Sequence, residues 1–413
     1  MVTENLGRRQ AIGSFISREF LRYLISTFNA DLILPIYSIF LPLLAYDIGA
    51  SVLEIGLVGG ASNAVYSFMP FLMGRISDRK GTRKFFVVSS FGILSVVSIS
   101  YALVQSPLTL IVARVFEGIG WSMLWPAIEA TVRDASDDAK RSLSVFNFTW
   151  SGAAAAGPLL GSWLIFFTSI RDAFLATSII LIATLCLNLY SLFGRSSTKV
   201  ESAVVVSSVK EANHIVEEEE ESGSSRPGQL FYLSSMAVAA VSAGVLYTFF
   251  TPFAKSLDIS ILLIGMITFM FGFARFLGYV FTVKENFRML LLNPAKRVRI
   301  ILITLVVMSM SSLAMLLNDP SEIVYFIVYA IAGAGFSIVY GISQAAMIAE
   351  VSQTKVGRGA GLFESSIGMG MCFGPVAGGL ISGGSLSLPF VVPSLSLMLF
   401  LIALPRLIAG SRR

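Results

Sequence analysis

Long apolar segments recur along the whole chain, and each is bounded by charged residues, proline or glycine. A bilayer core about 30 Å thick is crossed by a helix of about 20 apolar residues, so each segment of this length predicts one transmembrane helix. The pattern therefore predicts an all-α integral membrane protein with twelve transmembrane helices. These helices are predicted near residues 24–46, 55–73, 85–104, 108–128, 145–168, 173–193, 230–253, 261–283, 300–317, 324–348, 361–383 and 388–408.

A polar interval divides the predicted helices into two groups of six. It contains serine, lysine, the lone histidine His214 and five consecutive glutamates at 217–221. This composition is typical of a solvated, self-repelling spacer, although a run of glutamates could instead bind a cation or a basic partner. We expect an N-terminal six-helix bundle at 1–194, a cytoplasmic linker at 195–229 and a C-terminal six-helix bundle at 230–413.

The two groups of helices are related in sequence. An arginine precedes the fifth predicted helix, a Gly-Pro pair begins sixteen residues later, and the same spacing recurs at the eleventh. The matching positions are Arg141 with Gly157 and Arg358 with Gly374. An internal repeat of this kind predicts two pseudo-symmetric bundles, an arrangement typical of proteins that move a solute by rocking one bundle against the other.

Composition and charge predict how these bundles lie in a cytoplasmic membrane. Hydrophobic residues make up 55% of the chain and charged residues 13%, against about 25% charged residues in typical soluble domains. Of the 30 basic residues, 26 fall on one side of the predicted bilayer, and only Arg171 and Lys255 fall on the other. The positive-inside rule therefore predicts both termini in the cytoplasm. Because the basic residues are dispersed, no nucleic-acid partner is expected.

The segment after the second predicted helix carries the most specific motif. It reads GRISDRKGTRK from Gly74 to Lys84 and resembles the G-x-x-x-D-R-x-G-R-R/K signature of the major facilitator superfamily, with Thr82 in place of the first basic residue of the tail. The fourth predicted helix carries a second resemblance, because Arg114 to Gly118 fits the R-x-x-x-G pattern of the same superfamily. The resemblance implies a twelve-helix transporter that works by alternating access.

The glycine and the charged residues of this motif suit a gate at the cytoplasmic face. A glycine at a helix end allows the chain to reverse direction, and neighbouring Asp and Arg supply charge pairs that form in one conformation and part in another. An ordinary basic loop at the lipid headgroups is the alternative. Including charged residues near the same face, the candidate gate and motif residues are Gly74, Asp78, Arg79, Gly81, Arg83, Glu129, Arg141 and Arg358.

The Gly-Pro pairs of the fifth and eleventh predicted helices are similar to the G-P-x-x-G-G motif of antiporter branches of the superfamily, although Ser162 replaces the last glycine in the first half. Glycine permits close helix contact and proline removes one backbone hydrogen bond, so the pairs favour a bend or hinge. The candidate hinge and packing residues are Gly157, Pro158, Gly161, Gly374, Pro375 and Gly378.

One predicted helix combines two opposite charges with two tryptophans. Arg114 and Glu117 share a helical face, approximately with Trp121 and Trp125. A charge in the bilayer core is costly unless it faces water or an opposite charge. We expect this stripe to contact the substrate, with Arg114 orienting an anionic group or acting on nearby carboxylates. The alternative is that the two charges only neutralise each other and the tryptophans only fill space.

Asp31, Glu117 and Glu364 are the candidate carriers of a coupling proton. Asp31 lies about 12 Å beyond the predicted start of its helix at 1.5 Å per residue, and a salt bridge to Arg114 or Arg275 is the rival interpretation. Glu364 lies nearer the cytoplasmic face, where pairing at a gate is favoured over substrate contact. The complete set of candidate residues for substrate binding and ion coupling is Asp31, Arg114, Glu117, Trp121, Trp125, Arg275 and Glu364.

Aromatic side chains in the helices favour an amphipathic or aromatic substrate. Together with the Gly-Pro motifs they predict proton-coupled efflux of a drug-like compound. Uptake of a sugar or organic acid is the first alternative, and a membrane receptor or scaffold that binds without transport is the second. The aromatic residues expected to face a central cavity are Trp121, Trp125, Phe146, Phe148, Trp150, Tyr247 and Phe363.

The motifs of metalloproteases, serine hydrolases and phosphate-binding loops do not occur in the sequence. We therefore expect neither an enzyme nor ATP-driven transport, and no cofactor or metal ion. The expected partners are a small-molecule substrate, a coupling proton and the lipid bilayer. We expect the chain to act as a monomer.

Overall fold

The computed structural model describes residues 17–80, 83–134, 139–193, 226–282, 293–317, 321–350 and 356–409. Gly81 and most of the predicted linker lie outside the described residues. The backbone positions of Gly74, Asp78, Arg79, Arg141 and Arg358 are described, but their side chains are not.

The described residues of the N-terminal half form seven helices, which make up six segments of membrane-spanning length. They are α1 (Arg18–Asp47), α2 (Val52–Tyr66), α3 (Met69–Lys80), α4 (Arg83–Leu103), α5 (Pro107–Asp134), α6 (Ala139–Phe167) and α7 (Ile170–Phe193). The second predicted helix is therefore split into α2 and α3. Pro70 explains the break, because proline donates no backbone hydrogen bond and restricts the residue before it.

Between residues 226 and 409, the described part of the C-terminal half contains six long helices and two short 3₁₀ turns. The helices are α8 (Arg226–Ser256), α9 (Ile261–Thr282), α10 (Pro294–Ser312), α11 (Glu322–Glu350), α12 (Val356–Ile381) and α13 (Val392–Ala409), with 3₁₀ turns at Leu313–Leu316 and Leu388–Val391. Eleven helical segments among the described residues are long and apolar enough to cross a membrane. The remaining predicted segment corresponds to α12, in which eight of the 26 residues are glycine. The prediction of an all-α membrane fold is confirmed.

Helix ends on the side opposite to the start of α1, which we call the outer side, are closed by specific hydrogen bonds. The Ser51 hydroxyl accepts a hydrogen bond from the backbone nitrogen of Glu54 at 3.3 Å, and the Glu54 carboxylate accepts one from the backbone nitrogen of Ser51 at 2.8 Å. Arg171 donates to the carbonyl oxygens of Ala102 at 2.8 Å and Val104 at 3.1 Å. A cation that caps the end of α4 in this way has a structural reason to lie on the outer side.

The helix packing repeats between the two halves. In the N-terminal half α1 packs against α6 and α2 packs against α5, and in the C-terminal half α8 packs against α12 and α9 packs against α11. The largest contacts between the halves are those of α2 with α12, α6 with α9, and α1 with α8, and smaller ones join α2 with α8 and α3 with α12. Each half is therefore a bundle of the same internal arrangement, and the two bundles meet along helices that occupy corresponding places.

The Gly-Pro pairs lie at equivalent contacts inside the two bundles. A Cβ atom on Gly157 would lie 2.7 Å from the carbonyl oxygen of Leu32 in α1, and one on Gly374 would lie 2.7 Å from the carbonyl oxygen of Val241 in α8. Real carbon atoms do not approach this closely, so only glycine permits these backbones to touch. The hinge role of the pairs stays a prediction.

Glycine also brings the two bundles together on the outer side. A Cβ atom on Gly56 of α2 would overlap the carbonyl oxygen of Pro375 and lie 3.1 Å from the Cα atom of Gly379, both in α12. A Cβ atom on Gly265 of α9 would overlap the side chain of Ser162 in α6. The observed conformation therefore depends on bare backbone at these two contacts between the bundles.

We predict that Gly56→Ala opens the outer contact, because the added methyl group forces α2 and α12 apart. The measure is the rate at which an outer-side thiol reagent labels a single cysteine replacing Val376, in a chain whose native cysteines are serine. The rate is expected to rise several-fold. Gly92→Ala is the matched control, because a Cβ atom on Gly92 meets nothing within 4 Å. Equal labelling rates in the two variants would contradict the prediction.

Candidate functional site

Glu117 is the centre of a hydrogen-bonded cluster inside the N-terminal bundle. Its side chain is fully buried, and its carboxylate accepts hydrogen bonds from Arg114 Nη1 at 2.5 Å, from Trp121 Nε1 at 2.8 Å and from the hydroxyl of Tyr101. Arg114 Nε donates a further hydrogen bond to the carbonyl oxygen of Val58 at 3.0 Å. Arg114 and Glu117 therefore form the charge pair predicted from the sequence, and three hydrogen-bond donors surround the Glu117 carboxylate.

The local sequence of α5 explains why these side chains meet. Positions three and four residues apart face the same side of a helix, which places Arg114 and Trp121 on either side of Glu117. Trp125 follows one turn later and stacks on Trp121 with ring centroids 5.9 Å apart and an interplanar angle of 10°. Gly118 lets α5 approach α2 closely, since a Cβ atom there would lie 2.5 Å from the carbonyl oxygen of Ser62.

The cluster continues into three further helices of the same bundle. The ring of Tyr101 in α4 meets the ring of Tyr37 in α1 edge to face at 5.7 Å. The Tyr37 hydroxyl donates to Ser98 Oγ at 2.7 Å, and Ser98 and Thr177 of α7 share a hydrogen bond at 3.1 Å. Tyr101 is absent from the sequence-based candidates, because a residue on another helix leaves no local spacing signal. The whole network holds five helices of one bundle together.

Asp31 has a different environment. Its side chain is buried in α1 at 6% exposure, and its Oδ2 atom has no hydrogen-bond partner among the described residues. Arg275 of α9 acts on it electrostatically, yet no nitrogen of Arg275 or Arg114 comes within the 4.0 Å of a salt bridge in the described part of the chain. The structure therefore contains neither of the direct salt bridges that the sequence allowed.

Arg275 lies in a closed circuit of aromatic rings, which we call the aromatic circuit. Its guanidinium carbon is 5.4 Å from the ring centroid of Trp150 and 5.9 Å from that of Phe271. The remaining neighbours along the circuit are Phe271 and Phe336 at 6.0 Å, Phe336 and Tyr340 at 6.3 Å, Tyr340 and Tyr279 at 5.7 Å, and Tyr279 and Trp150 at 5.9 Å. The site thus offers ring faces around one cation.

Helical spacing produces the aromatic circuit. Phe271, Arg275 and Tyr279 follow one another at intervals of four residues on α9, and Phe336 and Tyr340 have the same interval on α11. Arg275 is among the sequence-based candidates, whereas these four aromatic residues are not. Their four-residue spacing was the available signal. The predicted residues Tyr247 and Phe363 join the circuit at its edge, through Phe271 at 4.9 Å and Tyr340 at 5.1 Å.

Glu364 lies where α12 faces α2. The hydroxyl of Tyr66 in α2 donates to its Oε2 atom at 3.5 Å, and Glu129 acts on it electrostatically. Glu364 also acts electrostatically on Tyr279 and Tyr340, so it borders the aromatic circuit on the side away from Arg275. Two candidate carboxyl groups, from the two different bundles, therefore border one aromatic region.

The other predicted aromatic residues are divided between different places. Phe146 is buried at 6% exposure, and Phe148 is 68% exposed with its ring 5.9 Å from that of Phe276. Trp121 and Trp125 belong to the Glu117 cluster instead of the aromatic circuit. Of the seven candidates, Trp150 is part of the aromatic circuit, and Tyr247 and Phe363 pack at its edge.

Comparison with known proteins agrees with this architecture. The family model described as Major Facilitator Superfamily matches residues 23–344. The chain is 22% identical over 360 residues to the multidrug resistance protein MdtL of Shigella flexneri, covering 86% of both proteins. It is 33% identical over 112 residues to the putative metabolite transport protein YaaU of Escherichia coli, covering 27% of this chain and 25% of that protein.

Solved structures share the fold. The nucleoside transporter NupG superposes with a TM-score of 0.70 at 13% identity, covering 96% of this chain and all of that one. A bacterial homologue of the human lysosomal transporter Spinster, in an inward-facing and occupied conformation, superposes with a TM-score of 0.70 at 16% identity, covering 95% and 96%. At these identities the similarity describes the fold alone.

We predict that Glu117→Gln destabilises the protein strongly, because it leaves the Arg114 charge buried without its partner. Breaking a buried ion pair costs about 3–5 kcal/mol, so the melting temperature of the purified protein is expected to fall by several degrees. Glu322→Gln, at an exposed position on α11, is the matched control and is expected to change stability by less than about 0.5 kcal/mol. The prediction is wrong if the two variants have the same melting temperature.

Proposed function

The chain belongs to the Major Facilitator Superfamily, and from this premise we propose that it exports an amphipathic, drug-like compound across the cytoplasmic membrane in exchange for protons. The two bundles rock about their glycine contacts, so that the substrate site faces one side of the membrane at a time. The observation that carries the proposal is Asp31, a buried carboxyl group whose Oδ2 atom has no hydrogen-bond partner in the described part of the chain.

Asp31 suits a proton carrier because its environment depends on the relation between the bundles. It belongs to α1 in the N-terminal bundle, whereas Arg275, the cation that acts on it, belongs to α9 in the C-terminal bundle. At a separation of 4 Å and an effective dielectric constant of 20, two opposite charges attract by about 4 kcal/mol. A movement that changes this separation therefore changes the affinity of Asp31 for a proton.

The aromatic circuit supports an amphipathic substrate. Its rings offer flat apolar faces, while the charges of Asp31, Arg275 and Glu364 lie at or near its border. A site built to bind a sugar instead needs many hydrogen-bonding groups directed at its hydroxyls. The name multidrug resistance protein, borne by a relative that matches 86% of the chain, supports the same proposal.

Uptake of an organic acid is the second candidate, and Arg275 is the observation that favours it. An arginine inside the membrane is a natural partner for a carboxylate. The two candidates differ in the direction of proton movement. Export by antiport moves protons opposite to the substrate, whereas uptake by symport moves both in the same direction.

The proposal is tested in proteoliposomes with ethidium as the reporter compound and an imposed pH gradient. We predict that the wild-type protein concentrates ethidium on the acidic side, in exchange for protons. Asp31→Asn is expected to lose this accumulation but to retain counterflow between two ethidium pools. The matched control is Asp258→Asn, at an exposed outer turn with φ 58°, a conformation that asparagine also tolerates.

The possible outcomes separate the candidate functions. An Asp31→Asn protein that still accumulates ethidium with the wild-type pH dependence rules out Asp31 as the carrier. Accumulation of an organic anion such as benzoate on the alkaline side, with no movement of ethidium, favours the symporter. Binding of ethidium without counterflow in the wild-type protein indicates a receptor or scaffold.

A further inference from the structure

We propose that Arg275 is a two-position switch, whose guanidinium lies on the ring of Trp150 when the site is empty and moves to Asp31 when an aromatic substrate occupies that ring. The inference rests on the proposed function and adds the way in which substrate binding reaches the proton carrier. Trp150 is then a positioning residue, because it acts on Asp31 through Arg275.

Both partners of the switch belong to the same bundle. Trp150 lies on α6 and Asp31 lies on α1, and these two helices pack directly against each other. Arg275 reaches them from α9 in the other bundle, with its guanidinium carbon 5.4 Å from the Trp150 ring centroid. Trp150 is the one aromatic residue of the circuit that comes from the N-terminal bundle. Arg275 therefore selects between two neighbours across a single interface.

The two positions compete because each offers a different kind of attraction. A planar guanidinium stacks on an indole, the ring that attracts cations most strongly. Asp31 offers an opposite charge and an oxygen that has no hydrogen-bond partner among the described residues. The observed geometry has Arg275 against the rings and outside salt-bridge distance of Asp31. A ligand that covers the Trp150 ring removes the attraction of Arg275 to the indole and leaves its attraction to the Asp31 carboxylate.

Few other charges interfere with this exchange. Among the described residues, Arg275 is the one charged group that acts electrostatically on Asp31. Tyr66 of α2, the titratable neighbour of Asp31, is acted on by Asp31, Glu129 and Glu364. Arg275 itself acts on Asp31, Tyr247 and Tyr279. Neither tyrosine carries a charge at neutral pH. Within the described residues, the position of Arg275 thus decides whether Asp31 is a protonated carboxyl group or a carboxylate.

The proton and the charges balance in this exchange. An aromatic substrate stacks on Trp150 and displaces the guanidinium, the O–H bond of Asp31 breaks, and its proton passes to water in the site. The carboxylate charge is balanced by the guanidinium. In the reverse direction, a proton binds Asp31 and the guanidinium returns to Trp150. The substrate then no longer stacks on the Trp150 indole and is released. Coupling between two ligands is reciprocal, so substrate and proton each weaken the binding of the other.

Infrared spectroscopy of the purified, ligand-free protein tests the switch, because a protonated carboxyl group has its own carbonyl band. The band of Asp31 is the one that Asp31→Asn removes. In Trp150→Leu the guanidinium has no indole to stack on and pairs with Asp31 without substrate. The pH at which half of the Asp31 band is lost is then expected to fall by about one unit, which corresponds to a tenfold lower proton affinity. Ethidium is expected to reduce the band in the wild type but not in W150L.

Two variants keep the test decisive. Trp150→Phe retains a ring and is expected to retain most of the band, which separates loss of stacking from a general disturbance of folding. Trp163→Leu changes the same residue type on the same helix at a position that is 57% exposed, and it is expected to match the wild type. A W150L protein that keeps the full band overturns the switch, as does a wild-type protein with no Asp31 band at any pH at which it stays folded.

The switch and the proposed function fail in different ways. If W150L keeps the full band while Asp31→Asn abolishes ethidium accumulation, the switch is wrong and the antiport proposal stands. If Asp31→Asn accumulates ethidium normally, the antiport proposal loses its carrier whatever the band shows.

Discussion

The cost of placing charge in the low-dielectric core of a bilayer is the constraint on which the rest of this structure depends. Two kinds of response to it are visible. Arg114 and Glu117 lie on one helix, and hydrogen bonds from Tyr101 and Trp121 complete the shell around the carboxylate. Asp31 and Arg275 lie on different bundles and stay beyond salt-bridge distance in the described structure. The separation of Arg114 and Glu117 is independent of any movement between the bundles, whereas the separation of Asp31 and Arg275 changes with such a movement.

This difference divides the protein into rigid and movable parts. The Glu117 network ties α1, α2, α4, α5 and α7 into one body. Close contacts of Gly157 in α6 with α1, and of Gly374 in α12 with α8, bring helices together within each bundle. Between bundles the contacts at Gly56 and Gly265 rely on bare backbone, while the hydrogen bond from Tyr66 to Glu364 joins α2 to α12. Breaking the two glycine contacts costs packing, which suits surfaces that separate and meet again in each cycle.

The sequence predicted the fold and part of the site, and each success had a local cause. Apolar segments of membrane length predicted the helices, and spacings of three and four residues predicted that Arg114, Glu117 and Trp121 would meet. The contributions of Tyr101 and Trp150 depend on how separate helices are rotated and packed, which periodicity along one helix does not specify. The same holds for Asp31, because its distance from Arg275 is set by the packing of two bundles. The gate predicted at Asp78 and Arg79 stays a prediction.

The most direct test of this account is the number of protons released when ethidium binds to the purified protein in weakly buffered solution. The account predicts about one proton per bound ethidium at neutral pH, since one carboxyl group is exchanged, and almost none from Asp31→Asn protein that still binds the compound. Saturable ethidium binding to the wild-type protein without proton release, or equal release from Asp31→Asn, would contradict the central claim that Asp31 couples substrate to protons.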